Sequence, residues 1–410
     1  MDGTLFQTHV TSVAAVNRAL TEAGLSPRPE SYIASLFGEK EDTFYSLLAP
    51  EFSLSELDSL ADKARRYERE EVRTSGQLFP GVVDMLRSLR EEGHTLAICS
   101  NASLEYIEIV LDACGIRSYF TEVRGREEDK DKTAIVARMI RDGCCTIMVG
   151  DRKHDFIAAK NNHIAGIAAL YGYGKDECGL ADFPAEDTKE ILYYIRWCVL
   201  CHRVSELIRQ KKTKDRSFIA GISGVDTSGK TRFVSLLSRY LCALGYPVQC
   251  VHLDDFHHPA AIRNQLEDPV QSYIRFAFDM ERLTEMLAPI RDGRSVHTTL
   301  PVISLKTDAF TEERRYAVTP DTVVLLEGVL LFRPPIDPYL DARIWLDIPF
   351  DEVLNRAESR DVPLYGEEMM DRYREKYIPV QQWFIRNHNP CGVSDMVIDN
   401  TDPQHPAAVL

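Results

Sequence analysis

The sequence predicts an α/β protein with two doubly wound domains, each built on a parallel sheet. Two observations predict this fold class. Short apolar segments alternate with helix-like segments from Thr95 to about Gly172, and the same alternation restarts at Ser217. Such a β-then-α rhythm is typical of parallel strands joined by helical crossovers. A chain of 410 residues is also longer than one ordinary domain requires.

The pattern of apolar and charged residues divides the chain into three parts. Residues 1–187 are predicted to form the first domain, and the helical pattern between about 10 and 74 predicts a helical insertion within it. An amphipathic helix followed by a charged linker is predicted over 188–215. The second domain is predicted to occupy residues 216–410.

Charge and composition limit the kinds of partner. The formal net charge is −15, which disfavours general binding of nucleic acid or an anionic membrane and leaves small-molecule substrates as the predicted partners. Glu327 interrupts the longest apolar stretch, and the opening residues lack a signal-peptide pattern, so no membrane segment is predicted. The ten cysteines are scattered, which favours reduced thiols and a cytoplasmic location. The oligomeric state stays open.

The most specific motif is GVDTSGKT at Gly224–Thr231, which fits G-x-x-x-x-G-K-[ST] between a predicted strand and a predicted helix. Its glycines let backbone N–H groups surround phosphate oxygens, while Lys230 reaches the β- and γ-phosphates and the Thr231 hydroxyl ligates Mg²⁺. The residues predicted to bind ATP in this loop are Gly224, Asp226, Ser228, Gly229, Lys230 and Thr231.

Further polar residues follow at the ends of later elements. Asp254, in VHLDDFHH, ends the next strand, where a base could accept a proton from an attacking hydroxyl or an acid could simply cap a helix. Glu327 lies at the end of the strand VVLLEG, where a carboxylate can take part in the coordination shell of a metal ion. Arg356 and Arg360 lie four apart on one helix face and can clamp a transferring phosphate.

The order of these motifs resembles the uridine kinase/phosphoribulokinase family of P-loop kinases. The resemblance covers about residues 217–402 and is carried by GISGVDTSGKT, LDDFHH, AFDMERL, VVLLEGVLLF and RAESRD. It implies ATP-dependent, Mg²⁺-dependent phosphorylation of a small hydroxyl compound. Asp254 is implied as the general base. Lys230, Thr231 and Glu327 are implied at the phosphate and metal site, and Arg356 and Arg360 in the lid.

Three departures from that family concern the acceptor. Pro301–Leu305 reads PVISL where uridine kinases carry aromatic residues that help hold the base, and His257 replaces an aromatic residue. The later arginine of the lid is absent. The acceptor therefore stays open between a nucleoside and another hydroxyl compound.

The N-terminal domain carries a second ordered set of motifs. These are Asp2-Gly3-Thr4, Ser100-Asn101 after an apolar strand, a lysine before a helix, and Gly150-Asp151 with Asp155 four residues on. Over residues 1 to about 187 the set resembles the haloacid dehalogenase (HAD) phosphohydrolases, whose fold is Rossmann-like with a helical cap.

The resemblance implies a Mg²⁺-dependent phosphatase site. Asp2 would be the acid/base and a metal ligand, and Asp151 and Asp155 would be metal carboxylates. Ser100 and Asn101 would bind phosphate together with Lys132, for which Lys130 is the alternative. Taken singly, Asp151 and Asp155 also fit the start of a helix and Ser100 fits a helix cap.

In that family the nucleophilic aspartate would stand two residues before Asp2, outside this sequence, together with the central strand that precedes it. Removing a central strand would leave neighbouring N–H and C=O groups unpaired. We therefore expect a start assigned too late or a truncated sequence. Two functions stay open for this domain, a phosphatase and an inactive, ligand-sensing module.

Overall fold

A computed structural model describes residues 1–37, 39, 41–126 and 131–409. Contacts between Cα atoms divide it into two compact units, Met1–Ile195 and Arg196–Leu410, and the division lies inside the long helix Thr188–Lys211. Lys130, the alternative phosphate-site lysine, is outside the described residues. None of the helices that the structure describes is long and apolar enough to cross a membrane.

The first unit contains helices and short parallel strands. Its helices are α1 (Thr8–Glu22), α2 (Glu30–Ser35), α3 (Glu41–Leu48), α4 (Leu54–Ser75), α5 (Val82–Glu91), α6 (Leu104–Ala113), α7 (Lys132–Met139), α8 (Lys153–Asn161) and the start of α9 (Thr188–Lys211). Its strands are β1 (Leu96–Cys99), β2 (Phe120–Arg124), β3 (Ile147–Gly150), β4 (Ala165–Ala169) and β5 (Phe183–Ala185). Short 3₁₀ turns lie at Arg117–Tyr119 and Lys175–Leu180.

Four helices, α1–α4, lie between Thr8 and Ser75, and they are called the cap below. In α4, Leu60, Ala61, Ala64 and Tyr67 are buried on one face of the helix, and this face packs into the cap core. A reciprocal capping arrangement begins the helix, because the Ser53 N–H donates to Glu56 Oε2 at 2.8 Å. A separate apolar core, which includes Ala15, Leu20 and Leu60, holds this cap together.

The strands of the first unit form two parallel sheets. β1 pairs with β2, while β3, β4 and β5 form the second sheet in that order. Within the described residues, β1 and β3 therefore each have a strand on one edge only. Ser100 and Asp151 directly follow these two strands, so the polar motifs lie at strand carboxyl ends.

The second unit is built on one mixed sheet. Its strands are β6 (Phe218–Gly224), β7 (Val248–His252), β8 (Val296–Ser304), β9 (Ala309–Val318), β10 (Val323–Gly328), β11 (Ala342–Asp347), β12 (Met396–Asp399) and β13 (Ala407–Ala408). The sheet order is β13-β12-β11-β6-β10-β7, with β13 antiparallel to its neighbour and the other strands parallel. β8 and β9 form a separate antiparallel hairpin.

Helices follow the strands of this sheet. They are α10 (Lys230–Ala243), α11 (Ala260–Arg263), α12 (Pro269–Phe276), α13 (Met280–Arg291), α14 (Phe350–Tyr365), α15 (Glu368–Arg372), α16 (Ile378–His388) and α17 (Pro390–Val393). 3₁₀ turns lie at Leu253–Phe256 and Asp337–Tyr339, and a π-helical turn spans Tyr373–Tyr377 between α15 and α16.

The register of the sheet sets the position of the predicted kinase site. β6 and β10 are buried along their whole length, as expected of central strands covered by helices on both faces. Glu327 on β10 lies beside Ile222 of β6 and His252 of β7. The phosphate loop, Glu327 and the LDDF turn therefore share one edge of the sheet, where doubly wound folds bind ligands.

Candidate active sites

The phosphate loop of the second unit connects β6 to α10, as its motif predicts. Gly229 adopts φ +93°, and Thr227 adopts φ +56°, a left-handed conformation that is uncommon for a non-glycine residue and marks functional loops. The Lys230 Nζ donates hydrogen bonds to the carbonyl oxygens of Gly224 (3.2 Å) and Val225 (2.8 Å). Burial lowers the pKa of Lys230, although the charges of Asp226, Glu327 and Asp254 oppose that shift.

This loop fits a nucleotide phosphate. The Ser228 Oγ is buried without a hydrogen-bond partner within the described structure, and such a group is normally satisfied in a native protein. A Cβ on Gly224 would approach this hydroxyl to 2.6 Å, so glycine leaves the space that the loop needs. Asn400 fixes the loop from β12, since its Nδ2 donates to the Ser228 carbonyl at 2.7 Å.

Asp226 is held by a residue that the sequence patterns did not identify. The Asp226 N–H donates to Gln381 Oε1 at 3.0 Å, and Gln381 Nε2 donates to Asp226 Oδ2 at 2.6 Å. Burial raises the pKa of Asp226, and Asp254 adds to this shift while Lys230 opposes it. The paired contacts fix the first half of the loop to α16.

Thr231 and Glu327, the two residues predicted at the metal site, are hydrogen-bonded to each other. The Thr231 hydroxyl donates to Glu327 Oε1 at 2.9 Å and Oε2 at 3.2 Å. His252 Nδ1 lies 2.6 Å from the same Oε1, and this contact raises the pKa of His252. Hydroxyl and carboxylate oxygens are ligands that Mg²⁺ accepts, usually together with water and substrate phosphates, so this pair fits the cation.

The predicted base, Asp254, lies on the LDDF turn with 78% of its side chain exposed. Partial loss of hydration raises its pKa, but His257, Lys230 and His252 reverse this, and the net effect is a lowered pKa. The carboxylate is therefore ionised at neutral pH and able to accept a proton. His257, one of the departures noted above, is buried, and its Nε2 lies 3.6 Å from Asp254 Oδ1.

The two predicted lid arginines share α14 but have different partners. Arg356 donates to the carbonyl oxygens of Thr227 (3.1 Å) and Asn400 (2.6 Å), and therefore joins the phosphate loop to the end of β12. Arg360 makes a two-pronged ion pair with Asp361 at 2.7 and 2.9 Å. The charge of Arg360 also opposes the rise in the pKa of Asp226, so Arg360 lies near the loop.

In the first unit, the opening loop contacts the loop after β3. The Thr4 hydroxyl donates to Asp151 Oδ1 at 3.1 Å, and the Tyr173 N–H donates to Asp151 Oδ2 at 3.0 Å. Asp2 Oδ1 accepts a hydrogen bond from the Thr8 hydroxyl at 2.8 Å. Burial, reinforced by the charge of Asp155, raises the pKa of Asp151 to about 6. A bound cation would relieve this buried pair of like charges, so Asp151 and Asp155 fit Mg²⁺.

Lys132 forms an ion pair with Asp155, and the charge of Asp151 also acts on it. It is the first residue of α7, and its Nζ donates to Asp155 Oδ1. Burial alone lowers the pKa of Lys132, but Asp155 reverses this and the net pKa is raised. Asp155 Oδ2 also accepts from the Arg152 N–H at 3.1 Å, so Asp155 is both the first-turn acid of α8 and the partner of Lys132.

Among the described residues, no hydrogen bond links the other predicted phosphate ligands, Ser100 and Asn101, to these carboxylates. Ser100 is buried, its N–H donates to the Arg124 carbonyl at 3.0 Å, and its Oγ accepts from the Ala102 N–H at 3.3 Å. Asn101 is exposed. The N-cap residue of helix α6 is Ser103, whose Oγ accepts a hydrogen bond from the Tyr106 N–H.

Side chains that no motif revealed lie near Asp2 and Asp151. The Tyr106 hydroxyl lies 3.5 Å from Asp2 Oδ1 and 3.4 Å from Glu68 Oε1. The Tyr173 hydroxyl accepts from the His9 N–H at 3.0 Å. A groove of about 550 Å³ is lined by His9, Glu30, Ser31, Ala34 and Tyr173. Because Tyr173 also contacts Asp151, this groove adjoins the carboxylates. Within the described ranges, no group of three or more His, Cys, Asp or Glu side chains is arranged to hold a metal alone.

Comparison with known proteins gives a separate match for each half. The family of haloacid dehalogenase-like hydrolases matches residues 1–169. A phosphoglycolate phosphatase of Agrobacterium fabrum is 25% identical over 184 residues, which cover 42% of this chain and 79% of the relative. A uridine kinase of Shewanella amazonensis is 30% identical over 178 residues, covering 41% of this chain and 81% of the relative.

One of the similar solved structures is that of a possible uridine kinase from Bacillus stearothermophilus. It is 25% identical, with a TM-score of 0.38, and the match covers 49% of this chain and 96% of that chain.

Proposed function

Since the chain belongs to the uridine kinase family and carries a haloacid dehalogenase-like hydrolase domain before the kinase-like part, we propose that it is an ATP-dependent kinase of a small hydroxyl compound. A Mg²⁺-dependent phosphatase-type domain is proposed to be fused to it. A cytoplasmic location and small-molecule partners belong to the same proposal.

The observation that carries the kinase proposal is Asp254. Its carboxylate has a lowered pKa and lies at the same sheet edge as Lys230, whose charge contributes to that shift. An ionised carboxylate beside the phosphate loop can accept the proton of an acceptor hydroxyl, which is the step that a kinase requires.

The proposed reaction transfers the γ-phosphoryl group of ATP to the acceptor hydroxyl. Asp254 takes the proton of the acceptor hydroxyl as the acceptor oxygen forms a bond to the γ-phosphorus of ATP. The bond from that phosphorus to the bridging oxygen breaks, and ADP leaves with the electron pair. Lys230 and the backbone of the loop hold the phosphates. Mg²⁺, when bound near Thr231 and Glu327, supplies charge neutralisation on the phosphate oxygens.

The test is a mass-spectrometric screen of nucleosides and other small alcohols with ATP and Mg²⁺. We expect one acceptor class to gain a phosphoryl group. Asp254→Asn should lower kcat by about 10²- to 10⁴-fold while ATP binding is retained, and Lys230→Ala should lose ATP binding. ATP turnover that needs no acceptor and is unchanged in Asp254→Asn would refute the kinase proposal and favour a nucleotide switch.

For the first unit we propose a site in which Asp151 and Asp155 hold Mg²⁺ and Lys132 binds the phosphate group of a ligand. The ion pair between Lys132 and Asp155 and the raised pKa of Asp151 support this proposal. Hydrolysis of p-nitrophenyl phosphate that requires Mg²⁺ and is lost in Asp2→Asn would make this unit a phosphatase. Binding of inorganic phosphate that is weakened by Lys132→Met would support the phosphate site, whichever of the two functions it serves.

A further inference from the structure

Two residues of helix α9 contact the loop that connects β12 to β13. From Arg196 onward, α9 belongs to the second unit. The indole Nε1 of Trp197 donates a hydrogen bond to the Pro403 carbonyl at 3.1 Å, and Arg196 Nη1 donates to the Gln404 carbonyl at 2.7 Å. The connecting loop, residues 400–406, is called the tail loop below. Two hydrogen bonds therefore hold the tail loop to α9.

The first residue of the tail loop holds the phosphate loop. Asn400 is buried, and its Nδ2 donates to the Ser228 carbonyl at 2.7 Å. Arg356 donates to the carbonyls of both Asn400 and Thr227, at 2.6 and 3.1 Å. Two carbonyl groups of the phosphate loop are thus tied to a residue that lies close in sequence to Pro403.

Trp197 also packs on the helix that follows the phosphate loop. Its ring lies 5.6 Å from that of Phe233, within the range of favourable aromatic pairs, and both side chains are buried. Phe233 belongs to the first turn of α10, and its N–H donates to the Gly229 carbonyl at 2.9 Å. One side chain of α9 therefore contacts both the tail loop and the helix of the phosphate loop.

Hydrogen bonds, and not burial, fix the place of the tail loop beyond Asn400. Residues 401–405 are all exposed. Within them the Asp402 Oδ1 accepts from the Gln404 N–H at 2.8 Å, which makes this part a compact turn. A segment with little buried surface depends on its few hydrogen bonds for its position. The bond from the indole of Trp197 therefore has a direct effect on where the turn lies.

We propose that Trp197 is a positioning residue of the nucleotide site, through which α9 sets the affinity of the phosphate loop for ATP. It holds the tail loop in the place from which Asn400 and Arg356 fix the Ser228 and Thr227 carbonyls. The N–H groups of the phosphate loop are then oriented towards the phosphates. This inference rests on the nucleotide-binding part of the proposed function and not on phosphoryl transfer.

The test is Trp197→Phe in the full chain, since phenylalanine keeps an aromatic ring against Phe233 and removes the N–H donor. Titration with a fluorescent ATP analogue should give a Kd raised about 2- to 12-fold, the value of a neutral hydrogen bond. Without nucleotide, amides of residues 224–231 should exchange faster than in the parent, and saturating analogue should remove this difference. Arg196→Gln, which removes the neighbouring bond, should raise the Kd in the same direction.

Tyr240→Phe is the matched control. The Tyr240 hydroxyl lies 3.2 Å from His202 Nδ1, so this variant also removes a polar contact between α9 and a buried aromatic residue. Tyr240 lies in the last turn of α10, at the opposite end from the phosphate loop. The control should have the same Kd for the analogue as the parent.

A double-mutant cycle tests the route through the tail loop. Asn400→Ala removes the donor to the Ser228 carbonyl and should raise the Kd about 5- to 150-fold. If Trp197 acts through Asn400, Trp197→Phe should add little in this background, and the combined increase should be smaller than the product of the two single increases.

The outcomes separate this inference from the kinase proposal. An unchanged Kd in Trp197→Phe, with faster exchange confined to α9 and the end of α10, would refute the inference and leave the kinase proposal standing. Single increases that multiply in the double variant would refute the route through Asn400. A raised Kd and a cycle as expected, with no acceptor phosphorylated, would support the inference and count against the kinase. A parent that does not bind the analogue would refute both.

Discussion

His257 contacts Asp254 through one ring nitrogen and a backbone carbonyl through the other. Its Nδ1 lies 3.0 Å from the Ala277 oxygen, and its Nε2 lies 3.6 Å from Asp254 Oδ1. A carbonyl oxygen only accepts hydrogen bonds, so Nδ1 carries a proton. Nε2 can then donate to Asp254 only in the imidazolium form. Stacking on Phe278 at 4.4 Å fixes the ring in this orientation.

The first prediction concerns the pH dependence of transfer in His257→Gln. Because His257 lowers the pKa of Asp254, its removal should raise that pKa, and the acid limb of the kcat/KM profile should move to higher pH. His258→Gln is the control. An equal loss of rate at every pH, with the acid limb in place, would mean that His257 only supports the fold.

The second prediction concerns the clamp between Gln381 and Asp226. Gln381→Ala leaves a backbone N–H and a carboxylate of the phosphate loop without their partners, which costs about 1–3 kcal/mol. If this cost falls on the nucleotide-binding conformation, the Kd for ATP should rise about 5- to 150-fold. Equilibrium titration with a fluorescent ATP analogue measures it. The neighbouring Gln382 is exposed, and Gln382→Ala should have the same Kd for ATP as the parent.

Local patterns predicted the central strands and helices of both units because these elements bury their side chains. β6 and β10 lie within one residue of the apolar segments that indicated them, and burial on both faces gives such strands nearly continuous apolar sequences. The β8–β9 hairpin was missed. Its second strand, Ala309–Val318, is mostly exposed and rich in charged residues, so it carries no apolar signal.

The site residues that motifs missed are those that depend on distant contacts. Gln381 and Asp226 are 155 residues apart in sequence, and the burial of His257 depends on packing against Phe278. Motifs placed Lys230, Thr231 and Glu327 at one sheet edge because each follows or ends a strand. Short patterns report local backbone geometry, whereas the partners of a side chain are set by the tertiary fold.

The third prediction compares two glycines with left-handed backbones. Gly3 has φ +69°, and a Cβ there would lie 2.0 Å from Asp151 Oδ2, while Gly24 has φ +80° with nothing within 4 Å. Both alanine variants pay the left-handed strain of about 1–2 kcal/mol. Only Gly3→Ala adds a steric clash, worth about a further 1–3 kcal/mol. Hydrogen exchange of the β3 and β4 amides should therefore rise more in Gly3→Ala, and equal exchange would contradict this account.

The last prediction concerns the buried charge of Asp151. Its folded-state pKa is raised from 3.8 to about 6, so its contribution to stability is fully present below about pH 4 and is lost as the pH rises through 6. Asp151→Asn imitates the protonated form, since its Oδ1 can accept from the Tyr173 N–H and its Nδ2 can donate to the Thr4 hydroxyl.

Near pH 4 the Asp151→Asn variant should have the same free energy of unfolding as the parent. At pH 7 this free energy should be higher in the variant by up to about 3 kcal/mol, at 1.36 kcal/mol per pKa unit. Hydrogen exchange of the β3 amides in the presence of a chelator, corrected for the intrinsic pH dependence, measures the difference. Asp112 is exposed on α6, and Asp112→Asn should show no such pH-dependent gain. A difference between Asp151→Asn and the parent that is the same at pH 4 and pH 7 would mean that the charge is already compensated, and the argument for a cation at Asp151 would fail with it.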